Sequence, residues 1–146
     1  MHTLLDHAGD LPAFVVITEG QRSDLAMARG LQLPKGRLVA MDRGDIDDRF
    51  LFRLTQDTVY FVIRQKSNAK FKVTARFAVN GHQGVTSDQN IVLRGQNGHA
   101  YPDALRRVGY RDPATGKHDV FWTNAFHLAA ATIAAIYKER WQIEIV

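Results

Sequence analysis

Two acidic residues, Asp42 and Glu144, occupy positions from which their carboxylates could take part in chemistry. Asp42 follows the apolar run Leu38–Met41, and the pattern predicts a buried strand that ends immediately before this acid. In open α/β sheets, ligands bind in the crevice at the carboxyl ends of the strands. The chain contains no cysteine, so a metal ion bound there would need carboxylate or histidine ligands.

Glu144 belongs to a predicted final helix that starts near Leu128 and continues to the end of the chain. At 100° per residue, Tyr137, Arg140 and Glu144 share the stripe that should pack on the sheet, where a helix carboxylate can meet one from a strand end. Two simpler interpretations remain open. Arg140 and Glu144 have the spacing of an ordinary i,i+4 ion pair, and Asp42 has the character of a turn former.

The elements that would position these acids are those of an α/β domain. Short apolar runs, turn residues and helix-capping residues alternate along the first part of the chain. They predict a β-hairpin over 3–5 and 13–17, a helix beginning at Ser23 or Asp24, a short helix over 49–54 capped by Asp47 or Asp48, and a strand over 59–64.

The segment 66–122 has a different pattern. Apolar and polar residues alternate over 70–79, which predicts a half-exposed strand with a basic face, and turn residues separate further predicted strands at 91–93, 105–110 and 120–122. The segment carries nine Lys/Arg against four Asp/Glu, whereas 1–65 has eight against nine and 123–146 has two against two. A basic β-rich module suits a polyanion such as a nucleic-acid backbone, although ordinary solvated surfaces show a similar excess.

Other protein classes are disfavoured by the composition. A chain of 146 residues with 45% apolar content is long enough for one compact domain. No apolar run approaches the ~20 residues needed to span a bilayer, and the first residues lack a secretory pattern, so we expect a cytoplasmic protein without membrane contact. The six histidines do not pair at zinc-site spacings, and we assign them no role.

Several motifs together resemble those of a known family. The final helix reads Tyr137-Lys138-Glu139-Arg140-Trp141-Gln142-Ile143-Glu144, and the predicted strand end reads Met41-Asp42-Arg43-Gly44. The chain thereby resembles the DDE transposases of bacterial insertion sequences whose signature is Tyr-x2-Arg-x3-Glu-x6-Lys. Segments 18–24 and 121–124 are also similar to family segments, so the resemblance covers nearly the whole chain.

The resemblance implies an α/β fold of a particular kind. We expect a ribonuclease-H-like core, a mixed sheet with flanking helices, that is interrupted by a β-rich insertion. Residues 1–65 would form the first part of the core, 66–122 the insertion and 123–146 the final core helix. Because the family's first catalytic Asp lies on an earlier strand and its signature Lys lies later, we expect the chain to be truncated at both ends.

The resemblance also implies a function, which is metal-dependent phosphodiester hydrolysis and strand transfer at insertion-sequence ends. Asp42 and Glu144 would be catalytic and would bind two Mg²⁺ ions, while Tyr137 and Arg140 would contact DNA. The intact family acts as a homodimer on DNA, and this chain, with two of three acids, is expected to be inactive alone. The alternatives are a non-catalytic DNA-binding module that uses the basic segment and an inert remnant.

Overall fold

The computed structural model describes residues 2–5, 14–17, 35–41, 47–66, 69–79 and 82–145, with 2–5, 14–17, 82 and 139–145 described by their backbone alone. Within these ranges the chain forms eight strands and three α-helices. The strands are β1 (His2–Leu5), β2 (Phe14–Ile17), β3 (Leu38–Met41), β4 (Tyr60–Arg64), β5 (Phe71–Arg76), β6 (Val85–Leu93), β7 (Leu105–Arg111) and β8 (His118–Thr123). The helices are α1 (Asp48–Gln56), α2 (Gly95–Ala100) and α3 (Ala130–Ile145).

All eight strands belong to one mixed sheet, in the order β1-β2-β3-β4-β8-β7-β6-β5. The central strands β2, β3 and β4 run parallel, and every other neighbouring pair is antiparallel. The predicted hairpin is confirmed by β1 and β2. A mixed α/β fold is therefore confirmed, while the division into core and insertion at 65/66 and 122/123 stays a prediction.

Helices cover both faces of the sheet, which explains why β3 is apolar at every position. Val39 and Met41 belong to a hydrophobic cluster with α1, and this side is called the α1 face. Leu38 and Ala40 belong to a second cluster with α3, and this side is called the α3 face. Since successive strand residues point to opposite faces, burial of both sides requires the continuous apolar run that the sequence shows.

Helix α1 begins as its sequence predicts. The Asp47 side chain accepts a hydrogen bond from the backbone N–H of Arg49 at 2.8 Å and caps the first turn. The buried Asp48 carboxylate forms an ion pair with Lys66, 2.7 Å away, which ties the start of α1 to the residues after β4. The capped short helix predicted over 49–54 is confirmed.

Strands β5 to β8 form an antiparallel meander that continues the sheet beyond β4. The burial of β5 alternates between partly buried and exposed residues, which confirms the predicted half-exposed strand. β6 is longer than the predicted strand over 91–93, because its polar first half is ordered by pairing with β7. The turn residues predicted between the strands at 91–93 and 105–110 include Gly95 and Gly98, and this prediction is wrong, since both lie in α2. A Cβ on Gly98 would lie 2.5 Å from the Leu93 carbonyl oxygen, so this helix packs too closely for a larger residue.

The predicted final helix is confirmed by α3, which begins at Ala130. None of the helices in the described ranges has the length and apolar character required to cross a membrane. The helix predicted from Ser23 or Asp24 lies outside the described residues.

Candidate functional site

The strand that precedes the first candidate acid in the sequence ends at the edge of the sheet where the parallel strands end. β3 ends at Met41, which is fully buried and lies opposite Ile17 of β2 in the register. Asp42 is the next residue in the chain and lies outside the described residues. The strand that the sequence predicts before this acid is therefore present, and the acid's own geometry stays a prediction.

The candidate residues of the final helix all fall within α3. Tyr137 is 1% exposed, and its ring packs against Phe121 of β8 with 4.6 Å between the ring centroids. Arg140 and Glu144 lie one and two turns further along α3, where the structure describes the backbone alone. The stripe that was predicted to face the sheet does so at Tyr137, since this residue belongs to the cluster on the α3 face.

Arg64, the last residue of β4, lies beside Tyr137 on the same face. Its guanidinium carbon is 5.7 Å from the centre of the Tyr137 ring. Its Nε is 3.4 Å from Oδ1 of Asp119, the second residue of β8, and both side chains are largely buried. A cation, a carboxylate and an aromatic ring thus join β4, β8 and α3 at the sheet edge where Asp42 follows β3.

Thr123 and Asn124 join the end of β8 to β4. The Thr123 hydroxyl donates to the backbone oxygen of Phe61 at 2.6 Å, and the Asn124 amide oxygen accepts from the Phe61 N–H at 2.9 Å. The Asn124 amide nitrogen donates to the Val59 carbonyl and to the Thr55 hydroxyl of α1. Buried polar groups need such partners, so this pair fixes the position from which the chain leaves the sheet towards α3.

The arginines of β7 lie on opposite faces of the sheet, as neighbours on a strand must. Arg106 is 7% exposed on the α3 face and makes two hydrogen bonds of 2.9 Å to the carboxylate of Asp88. Its Nη1 also donates to the carbonyl oxygens of Ala125 and Leu128, just before α3. Arg106 therefore connects strands β6 and β7 with the start of the helix that carries Glu144.

Arg107 is partly buried on the α1 face, and its hydrogen-bond partners are neutral. Nε donates to Oε1 of Gln65 at 2.7 Å, and Nη1 donates to Oε1 of Gln89 at 3.0 Å. The guanidinium carbon lies 5.2 Å from the centre of the Phe71 ring. Trp122 donates from its indole nitrogen to the same Gln65 oxygen at 3.2 Å, which orients that amide. Desolvation lowers the pKa of Arg107.

Sequence reasoning counted Arg106 and Arg107 as part of the basic segment and assigned neither a role. Their adjacency on a predicted strand could have shown that they face opposite sides of the sheet. Their partners could not have been found, because Gln65, Asp88 and Gln89 are distant in sequence and no local pattern marks them.

The metal ligands predicted from the resemblance, Asp42 and Glu144, have no described side chains, so their pairing stays a prediction. Among the residues with described positions, no group of three or more His, Asp or Glu side chains could hold a metal ion. Asp42 and the Glu144 side chain lie outside that set. Carboxylate oxygens are the donors that Mg²⁺ prefers, so the chemistry of this predicted pair fits a divalent ion.

Comparisons with known proteins agree on one family. A model of the transposase DDE domain matches residues 1–146. A Sinorhizobium fredii protein named as a transposase is 29% identical over 150 residues, an alignment that covers 100% of this chain and 42% of that protein. A Geobacillus stearothermophilus protein named as a transposase for an insertion sequence element is 31% identical over 149 residues. This alignment covers 99% of this chain and 38% of that protein. The chain thus spans about two-fifths of the length of these relatives.

Proposed function

Because this chain belongs to the transposase DDE domain family, we propose that it supplies part of the catalytic domain of a DNA transposase that acts at the ends of a bacterial insertion sequence. The observation that carries the proposal is the family match over all 146 residues. Whole-protein properties, including strand transfer and the pairing of DNA ends by two copies, belong to the proposal.

A ribonuclease-H-like core is the second part of the proposal. Its support is a mixed sheet with a parallel centre, helices on both faces, and a final helix that packs on the sheet through Tyr137. In such a sheet the carboxyl ends of β3 and β4 form an edge where ligands bind. The antiparallel strands β5 to β8 would be the insertion between the last core strand and α3.

Asp42 and Glu144 are the residues that we propose as metal ligands and catalytic residues. Divalent ions, when bound by carboxylates, supply the positive charge that phosphoryl transfer requires at the attacking and leaving oxygens. Asp42 follows the last residue of β3, and Glu144 lies near the end of α3, which packs across the same strands. Mg²⁺ is the proposed ion because the donors are hard oxygen atoms.

Tyr137 and Arg140 are the proposed DNA contacts of the signature. Arg140 could bind a phosphate through the fork of its guanidinium. The Tyr137 ring is also buried against Phe121, so this residue contributes to the packing of α3 on the sheet. We expect Tyr137→Phe to preserve this packing and to remove the hydroxyl alone.

The proposal predicts metal binding without efficient DNA cleavage by the chain alone, because two of the family's three acids are supplied by these 146 residues. Mn²⁺, a paramagnetic substitute for Mg²⁺, can be titrated and followed by electron paramagnetic resonance. Asp42→Asn and Glu144→Gln should each weaken binding at least tenfold, whereas Asp57→Asn, an exposed acid at the end of α1, should leave it unchanged.

Incubation of the same protein with duplex DNA and Mg²⁺ tests the expected inactivity. Mg²⁺-dependent nicking that is lost in Asp42→Asn would contradict the inactivity and support catalysis. An Mn²⁺ affinity that neither Asp42→Asn nor Glu144→Gln changes would contradict the proposed metal site.

A non-catalytic DNA-binding module is the second candidate function. The observation that favours it is the basic segment, whose Lys70, Lys72, Arg76 and Arg94 are exposed on and around β5 and β6. Salt-dependent DNA binding that is indifferent to Mg²⁺ and to Asp42 would support this alternative.

A further inference from the structure

We propose that Arg107 is a binding site for a phosphate group of the DNA backbone, held in position by the amides of Gln65 and Gln89. The site rests on the proposed function in one respect, since that function makes DNA the polyanionic partner. It is formed by residues of β6 and β7 and by the residue after β4, and it does not include Asp42, Glu144, Tyr137 or Arg140.

The first argument is that the Arg107 side chain is fixed before any ligand binds. Gln65 and Gln89 accept hydrogen bonds from Nε and Nη1, and the Phe71 ring lies against the guanidinium carbon. The indole of Trp122 fixes Gln65 in turn. A long side chain loses much conformational entropy when it binds a ligand, and contacts that order it beforehand reduce this cost.

The second argument is that the partners of Arg107 leave its charge uncompensated. Glutamine amides accept hydrogen bonds without carrying a negative charge, and no carboxylate of the described residues forms an ion pair with this guanidinium. Burial lowers its pKa, and among the described residues no carboxylate opposes this effect. An acid in place of either glutamine would instead compensate the charge of the guanidinium.

The third argument is that donor groups remain for an anion. Five N–H groups belong to a guanidinium, and the two hydrogen bonds of Arg107 use Nε and one N–H of Nη1. Nη2 makes no hydrogen bond to any described residue. Phosphate oxygens accept hydrogen bonds from such N–H groups in a forked geometry. The Arg107 side chain is partly exposed, so a phosphate can reach it.

A second arginine extends the site along the sheet. Arg76, Gln89, Arg107 and Trp122 are successive cross-strand partners on β5, β6, β7 and β8. Directly paired residues share a face, so exposed Arg76 lies on the α1 face, two strands from Arg107 and roughly 10 Å away. Two cations in one row suit successive contacts with a sugar-phosphate backbone better than a single small anion.

The test is duplex DNA binding by the whole chain, measured by fluorescence anisotropy of a labelled oligonucleotide over a series of KCl concentrations. Arg107→Gln should weaken binding roughly tenfold at low salt and should reduce the slope of log K against log salt by about 1. Arg107→Lys keeps the charge and loses the fork, so it should retain the slope and part of the affinity.

Gln89→Glu separates ligand binding from a structural role. The new carboxylate would pair with Arg107, so thermal stability should be unchanged or higher while DNA affinity falls about as much as in Arg107→Gln. The matched control is Gln96→Glu, an exposed position in α2 that changes net charge equally and should reduce affinity much less.

Each outcome decides the proposal. Loss of affinity in Arg107→Gln and Gln89→Glu, with the Gln96→Glu control near wild type, supports the site. Salt-dependent binding by wild type that neither substitution alters overturns the site and leaves the proposed function standing. Absence of salt-dependent DNA binding by the wild-type chain overturns the site together with the proposed DNA partner, whereas Mn²⁺ binding at Asp42 would still be measured independently.

Discussion

The two neighbouring arginines of β7 have different kinds of partners on the two faces of the sheet. On the α3 face, Arg106 is buried against the carboxylate of Asp88 and donates to two carbonyls before α3. On the α1 face, a series of neutral polar contacts connects Asn124 through Thr55 to Tyr101, and the ion pair of Asp48 with Lys66 lies apart from them at the start of α1. Arg107 lies on that face, and its hydrogen-bond partners among the described side chains are two amides rather than an acid.

The groups that hold an arginine distinguish a structural arginine from one that is available to a ligand. A buried charge is tolerated when an opposite charge and good hydrogen bonds compensate it, as at Arg106. An arginine that is held by neutral groups keeps its charge for an external anion. The partners, rather than the burial of the side chain, therefore distinguish the two roles.

The largest expected effect comes from breaking the ion pair on the α3 face. Arg106→Ala would leave the Asp88 carboxylate without its partner and would free the carbonyls of Ala125 and Leu128. Removing one partner of a buried pair costs about 3–5 kcal/mol, so we expect a loss of about 4 kcal/mol in the free energy of unfolding. Urea denaturation followed by circular dichroism measures it.

Arg107→Ala provides the comparison for that variant, because the substitution is the same and the position is adjacent. With no carboxylate left behind, its cost should be about 1 kcal/mol. Equal losses for the two alanine variants would refute the distinction between the faces.

An intermediate effect is expected from the neutral network of the α1 face. Asn124→Ala would leave the Phe61 N–H and the Val59 carbonyl without side-chain partners in the interior, which should cost about 3 kcal/mol. Asn124→Asp retains an acceptor for Phe61 and loses the amide donor, so it separates the two contributions. A loss below 1 kcal/mol for Asn124→Ala in the same denaturation assay would show that the network is not needed.

A further effect is confined to alkaline pH. Burial raises the pKa of Tyr101 to about 12, against the opposing effect of its hydrogen bond with Thr55. The unfolded chain deprotonates this tyrosine near pH 10, whereas the folded chain keeps the proton. The stability contribution is therefore complete below pH 10 and is lost as pH rises towards 12, by about 2–3 kcal/mol in total.

Tyr101→Phe is the control for this titration. The variant lacks the hydroxyl, so its unfolding free energy should fall less between pH 10 and 12 than that of the wild type. Parallel pH profiles for the two proteins would contradict the raised pKa.

Elements with a clear local sequence pattern could be predicted from the sequence. The continuous apolar run of β3, the Asp47 cap of α1 and the alternation of β5 each have one local cause, and each prediction is confirmed. The first half of β6 could not be predicted, because Thr86 to Asn90 are polar and their strand conformation depends on pairing with β7. Helix α2 was mistaken for turns because its glycines are typical of turns.

The sequence also indicates only some of the candidate site residues, and the roles of those that it indicates stay predictions. Short motifs marked Asp42, Tyr137, Arg140 and Glu144, since each is defined by neighbours a few residues away. No short motif indicates the Arg107 site, because Gln65 and Gln89 approach Arg107 only when β4, β6 and β7 have formed the sheet.

Strand β5 has a further consequence for the behaviour of the protein at high concentration. It forms one end of the described sheet, and its outer backbone groups offer a template to which another chain could add a strand. The cationic side chains of Lys72 and Arg76 oppose the addition of a strand by charge repulsion. The shift in the β5–β6 register between Val73 and Ala75 opposes it by distorting the strand. The same charges that suit a polyanion thereby also protect the protein from aggregating through this edge.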